Sequence, residues 1–176
     1  MSKTIVLDTE TTGLSYFEDE ILQLSIIDDE GHCLFNEFFK PQHKTSWYQA
    51  SEVNHIYPKD VENKSSINEY VSQIQEIVDH AEKIIGYNID FDIGFLVQAG
   101  IVFYAEQTFV DVMMEFAPIY GEWSDYFEDY KWQKLTTCAA YFKYNYCPHL
   151  ALEDVQATLF AYKKIEELKA KKDCNE

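Results

Sequence analysis

Asp8-Thr9-Glu10-Thr11-Thr12-Gly13 follows directly on the apolar run Ile5-Val6-Leu7, and the rest of the chain is best read outward from this stretch. A short β-branched run reads as a buried strand, here over about Thr4 to Leu7, and Gly13 reads as the turn that stops it. Side chains two apart on an extended backbone project from the same face, so Asp8 and Glu10 stand side by side. Adjacent carboxylates repel unless a hard cation sits between them, and all-oxygen ligation suits Mg²⁺ or Mn²⁺. A bare Asp-x-Glu is more often a solvated acidic turn. Here two further segments change the balance.

The first is Ile84-Ile85-Gly86-Tyr87-Asn88-Ile89-Asp90-Phe91-Asp92, followed by Phe95-Leu96, which begins as a strand and turns into an apolar helix. Asp92 falls near the start of that helix, where the dipole favours a negative charge. Capping alone would explain it. The second is His149-Leu150-Ala151-Leu152-Glu153-Asp154, which opens a long amphipathic helix with Asp154 on its first turn. Ala151, Thr158 and Ala161 share the face of Asp154, so that side can press close against a sheet.

With these segments in order, the chain resembles the DEDD exonuclease superfamily, in particular its histidine branch, which includes the proofreading subunit of bacterial replicative polymerase and ribonuclease T. Asp-x-Glu-Thr-Thr-Gly stands at residues 8–13, Asn-x-x-Phe-Asp at 88–92 and His-x-Ala-Leu-x-Asp at 149–154. Val110-Asp111 and Trp132-Gln133-Lys134-Leu135 are lesser echoes. Leu150 and Tyr87 depart from the residues many relatives carry there. The resemblance implies a ribonuclease H-like α/β fold, a mixed central sheet flanked by helices. It implies catalysis by Asp8, Glu10, Asp92, His149 and Asp154, with the four carboxylates holding two Mg²⁺ or Mn²⁺ ions about 4 Å apart. Asp8 would bridge the ions, Glu10 and Asp154 would serve the one that activates water, and Asp92 the other. An imidazole titrates near neutrality, so His149 is the candidate general base. Thr11, Leu14, His55 and Asn88 are the expected contacts to the terminal nucleotide. The expected activity is 3′–5′ exonucleolytic release of nucleoside 5′-monophosphates from single-stranded or frayed DNA ends. The alternatives are an exoribonuclease of the ribonuclease T type and a non-catalytic, polymerase-associated binding subunit. Four converging carboxylates would cost a pure scaffold stability without return, which speaks against the last.

Composition fits one compact enzyme domain over residues 1–176: 47% of the chain is hydrophobic and 16% aromatic, well above disordered composition. No apolar run approaches a membrane span, and Met1-Ser2-Lys3 leads straight into the first strand, leaving no room for a signal peptide. Cys33, Cys138, Cys147 and Cys174 lack paired spacing, and Cys147 with His149 is two ligands short of a zinc site. Free thiols in a reducing cytoplasm are expected. Fourteen basic against thirty-one acidic residues give a net charge of −17, which argues against tight autonomous duplex binding. A frayed end entering a metal-lined cleft needs fewer basic contacts, and a polymerase or other partner could deliver it.

Elsewhere, Glu20–Ile27 and Cys33–Phe39 read as a hairpin across Asp28-Asp29-Glu30-Gly31-His32. Pro41–Lys64 reads as irregular and substrate-facing. Ser66 and Glu69 suggest a capping box ahead of a helix with an Ile67, Tyr70, Val71, Ile74, Val78 stripe. A strand near 83–87, a helix from 92 to 99 ended by Gly100, a strand near 109–112, helices near 112–120 and 135–142, and a last helix from 151 to 171 complete the reading. Gln156-Ala157-Thr158-Leu159-Phe160 looks like a sliding-clamp peptide, but it lies in the Asp154 helix and is expected in the core. Trp123, Tyr126, Phe127 and Tyr130 have helical spacing and suggest a helix docked by its aromatic face, with a partner patch the less favoured reading. Lys163, Lys164, Lys169, Lys171 and Lys172 read as a solvated face near a helix C-terminus.

Overall fold

The computed structural model describes residues 3–173. Strand β1 (Thr4–Thr11) lies at the centre of a five-stranded mixed sheet of order β3-β2-β1-β4-β5. β2 (Ile21–Asp28) and β3 (Cys33–Phe38) form the expected hairpin and run antiparallel beside β1. On the other side of β1 the sheet turns parallel.

The segment from 41 to 64, expected to be irregular, contains helices α1 (Tyr48–Asn54) and α2 (Pro58–Val61). They fold because Trp47, Ile56 and Val61 pack with Leu22 in a small satellite core. The Trp47 indole N–H also donates to the Ile56 carbonyl at 2.7 Å. Polar composition hid these few anchors. A 3₁₀ turn (Ile67–Glu69) precedes α3 (Val71–Asp79). Ser66 caps it by accepting from the Asn68 N–H, whereas Glu69 accepts from the Ser65 hydroxyl, so no reciprocal capping box forms. The stripe from Ile67 to Val78 packs on the core as expected.

Next come β4 (Lys83–Gly86), α4 (Ile89–Gln98), β5 (Thr108–Asp111) and α5 (Val112–Tyr120). β1 and β5 both pair parallel with β4. Gly100, at φ +96°, follows the end of α4 and donates to the Val97 carbonyl. Residues 123–130 are not a helix. β6 (Trp123–Ser124) and β7 (Asp129–Tyr130) make a two-stranded ribbon whose aromatic side chains are exposed. Trp123 and Tyr130, seven residues apart, stand opposite one another across the ribbon, so a spacing that suits a helix also suits a hairpin pair. Helices α6 (Leu135–Tyr141) and α7 (Ala151–Asp173) close the chain; Cys174 lies outside the described residues.

The two faces of the sheet carry separate cores because β1 alternates. Ile5 and Leu7 join α3 and α4 in one core, and Val6 joins α5, α6 and α7 in the other. Ala151, Thr158 and Ala161 are all buried, so α7 lies close over β1 and β2. Ala157 and Leu159 are buried too, so the middle of the clamp-like pentapeptide lies in the core. Lys163, Lys169, Lys171 and Lys172 are exposed, as expected of a solvated face. Cys33, Cys138 and Cys147 are free thiols. Among the described residues no helix is long and apolar enough to cross a membrane.

Candidate active site

β1 runs four residues beyond Leu7, so Asp8 and Glu10 lie within the strand, paired with Ser25 and Gln23 of β2. A bulge shifts the register between Glu10 and Thr11, and such irregularities end pairing and re-aim side chains. Gly13 lies in the bend at residues 12–14 that follows the strand, as expected, and a Cβ there would overlap the Asp19 carboxylate. Asp19 in turn accepts from the Thr12 hydroxyl and the Ser15 N–H and pairs with Lys44 at 2.9 Å. The loop after β1 is thereby folded onto itself.

Strand parity sorts the carboxylates. Asp8 and Glu10 share the Val6 face, over which α7 lies, and there they meet Asp154. Oxygen atoms of these three lie within 4.8 Å of one another. Asp92 comes from the first turn of α4, on the opposite face, where Thr9 points. The Thr9 N–H and hydroxyl both donate to Asp92 Oδ1, at 2.8 and 2.6 Å. One Asp92 oxygen is thus pinned, and the carboxylate sits close enough to raise the pKa of Asp8.

Burial penalises ionisation of all four, and repulsion within the cluster adds to it at Asp8 and Glu10. Asp8 is pushed well above the carboxylate range by burial, then by the charges of Asp92, Asp154 and Glu10. Burial pushes Glu10 from 4.5 to about 8, with Asp154 adding to it and an Asn54 hydrogen bond opposing it. Burial likewise raises Asp92 to about 7 against the two Thr9 hydrogen bonds, and it raises Asp154 despite the His149 N–H. A site that strains to hold its own charge is one that divalent cations relieve. The donor set is all oxygen, as hard cations require. Asp8, Glu10 and Asp154 would hold one such ion between them.

His149 lies on the loop before α7 at φ +69°, a left-handed conformation uncommon outside glycine and asparagine. That conformation aims its N–H at Asp154 Oδ2, 2.9 Å away. His149 lines the same cavity of about 610 Å³ as Asp8, Glu10, Asp92 and Asp154, together with Tyr146 and Trp132. All five expected catalytic residues therefore converge. A second cavity of about 710 Å³ adjoins it, sharing Thr9, Glu10, Val53 and Phe91. Thr11 and Leu14 line it, Leu14 being 86% exposed at its mouth. The other two expected nucleotide contacts do not line either cavity. His55 ends α1 in a left-handed conformation with its side chain in solvent. Asn88, also left-handed at φ 64°, makes the turn from β4 into α4, and its N–H donates to Asp111.

Several participants escaped the sequence reading. Asn54, one residue before His55, is buried, donates to the Thr11 carbonyl at 3.1 Å and steadies Glu10. Asp111 caps α5 through the Met113 and Met114 N–H groups while holding Asn88. Tyr146 places a buried hydroxyl beside Asp154, where it favours the ionised carboxylate. Of these, only Asp111 had a signal, in the Val110-Asp111 pair.

A model of the RNase T exonuclease family matches residues 5–162. The chain belongs to this exonuclease family. It is accordingly a nuclease domain of the DEDD 3′–5′ exonuclease group, a family dependent on divalent metal. Among characterised proteins it is similar to the PolC-type DNA polymerase III of Thermotoga maritima, 33% identical over 95 residues, 52% of this chain and 7% of the polymerase. Among solved structures, E. coli exonuclease I in complex with a dT13 oligonucleotide aligns over 94% of this chain and 41% of that one, with TM-score 0.75 and 19% identity. Exonuclease X in complex with 5′ overhanging duplex DNA aligns over 95% of this exonuclease and 93% of its own chain, with TM-score 0.66 and 16% identity. These likenesses establish the ribonuclease H-like fold. The chain spans only a small fraction of the polymerase and less than half of exonuclease I.

Proposed function

We propose that the chain acts as one cytoplasmic exonuclease domain of the histidine branch, removing nucleoside 5′-monophosphates from the 3′ ends of single-stranded or frayed DNA. The observation that carries this is the convergence of Asp8, Glu10, Asp92 and Asp154, from one strand and two helices, with His149 on a single cavity. The DNA-polymerase relatives and the exonuclease neighbours bound to DNA support that substrate.

Two Mg²⁺ or Mn²⁺ ions held by the four carboxylates would polarise the scissile phosphate and stabilise the departing 3′ oxygen. The residues of the chain do the rest. Thr9 fixes the orientation of Asp92, and Asp154 holds the His149 backbone so that the imidazole faces the cavity. His149 takes the proton of the attacking water. The adjoining cavity, between Thr11, Leu14 and Asn54, receives the terminal nucleoside. A polymerase or other partner that delivers the frayed end suits the −17 charge.

End-labelled DNA and RNA oligonucleotides, single-stranded and mismatched, test the proposal with Mg²⁺, Mn²⁺ or EDTA. Stepwise 3′ shortening of single-stranded DNA is expected, abolished by EDTA and by Asp8→Ala. Cleavage by a carefully purified Asp8→Ala protein would sink the metal-dependent reading. Faster degradation of RNA would move the substrate to the ribonuclease T type.

A further inference from the structure

The ribbon of β6 and β7 has two unlike faces. Trp123 pairs with Tyr130 and Ser124 with Asp129, and the Lys131 N–H extends the pairing by donating to the Glu122 carbonyl at 2.8 Å. Side chains alternate across such a ribbon. Ser124 is buried, which marks its face as the one turned to the protein. On the other face Trp123 and Tyr130 meet edge to face with centroids 5.3 Å apart. Trp132, two residues beyond Tyr130, continues the row. The three side chains are 51, 36 and 60% exposed. Trp132 also lines the cavity of Asp8, Glu10, Asp92 and His149. The row therefore starts in solvent and ends in the wall of the catalytic cavity.

We propose that Trp123, Tyr130 and Trp132 form a stacking platform for the bases of the single strand on the 5′ side of the scissile phosphate. This rests on the exonuclease reading above, and the path follows from the two cavities. Trp132 lines the carboxylate cavity but not the one that receives the terminal nucleoside. A strand whose last nucleoside occupies the latter leaves across the former, toward the ribbon. Charge separates stacking from phosphate gripping. Lys131 is paired with Glu122 at 2.7 Å, and Asp125, Glu128 and Asp129 outnumber Lys134. Little positive charge stands beside the row to neutralise phosphates, whereas aromatic faces accept any base. All fourteen basic residues of the chain are lysine, so holding the strand by its bases answers the absence of an arginine-rich groove.

Trp47, the third tryptophan, is buried but lines the nucleoside cavity, so the quenching that a thymidine dinucleotide does not produce reports on the row. With Ca²⁺ in place of Mg²⁺, a thymidine dodecamer should quench the emission. Trp123 lies outside both cavities. Trp123→Ala should weaken dodecamer binding and raise its KM about five- to tenfold at unchanged kcat. Trp123→Phe should restore most of the loss, and Tyr130→Ala should repeat it. A thymidine dinucleotide is too short to reach Trp123, so its hydrolysis should be the same in wild type and Trp123→Ala. A wild type that cleaves neither substrate overturns the exonuclease reading, and the platform with it. Normal dinucleotide cleavage with an unchanged dodecamer KM, in Trp123→Ala and Tyr130→Ala proteins of wild-type melting temperature, overturns the platform alone and leaves the row to a protein partner.

Discussion

His149 joins two functions in one residue, and they can be separated. The residue lines the carboxylate cavity, while its backbone N–H and left-handed φ tie the loop to Asp154. As a base that is not a ligand, His149→Ala should lower turnover by about two to four orders of magnitude and leave cation affinity measured by calorimetry nearly intact. Collapse of that affinity would place the imidazole among the ligands. His149→Gly should be as inactive as the alanine variant yet more stable by about 1 kcal/mol, because glycine adopts φ +69° without strain. Chemical denaturation of the two variants measures the difference.

The four carboxylates make a second residue-scale prediction. Glu10 and Asp92 have folded-state pKa values raised to about 8 and about 7. The folded, metal-free protein therefore binds protons more tightly than the unfolded chain. Between the ordinary carboxylate value near 4 and about 8, each rise in pH then costs stability. Without divalent ions the melting temperature should climb as pH falls from 8 to 5. Glu10→Gln should flatten that climb, and saturating Mn²⁺ should raise the melting temperature most at the alkaline end. A Glu10→Gln protein with the wild-type pH slope would show that the general negative charge, and not this cluster, sets the dependence.

At the scale of elements, the site is held by the turn between β4 and α4. Asp111 Oδ1 accepts from the N–H groups of Asn88, Met113 and Met114, so one carboxylate both caps α5 and sets where α4 begins. Loss of a cap costs about 1–2 kcal/mol. Asp111→Ala should lose that much stability. It should also lower kcat more than it raises KM, since Asp92 rides on the first turn of α4 and Asn88 lies outside the nucleoside cavity. Asp111→Asn should recover most of both. A drop in stability with kcat unchanged would mean that Thr9 alone suffices to place Asp92.

Across the whole molecule the decisive quantity is the −17 charge. Few cations contact phosphate, so few counterions are released on binding. With about two or three phosphate contacts, the log–log slope of affinity against salt for a single strand should be near −2. The measurement uses Ca²⁺ or the Asp8→Ala protein, so that the substrate survives. A single strand should bind better than a blunt duplex of the same 3′ sequence, because a melted end enters the cleft without unpairing. Equal or tighter duplex binding with a steep slope would mean that Lys40, Lys44, Lys59 and Lys64 gather into a duplex-binding patch.

The five candidate catalytic residues and most of the elements that carry them were legible in the sequence because each signal is local. Asp8 and Glu10 share a face by the period of a strand, Asp92 and Asp154 fall on first helical turns, and β-branched runs mark β1 and β4. The family resemblance extended those local signals to a fold. What lies between distant segments was not legible, since a contact between residues 11 and 54 or 88 and 111 leaves no periodicity behind. Thus Asn54 rather than His55 turned inward, the polar segment 41–64 folded on three apolar anchors, and Trp123, Tyr126, Phe127 and Tyr130 formed an exposed ribbon where their spacing suggested a helix. Spacing reports which side chains share a face. Only tertiary packing decides which face is buried, because burial depends on whether another part of the chain comes to cover it.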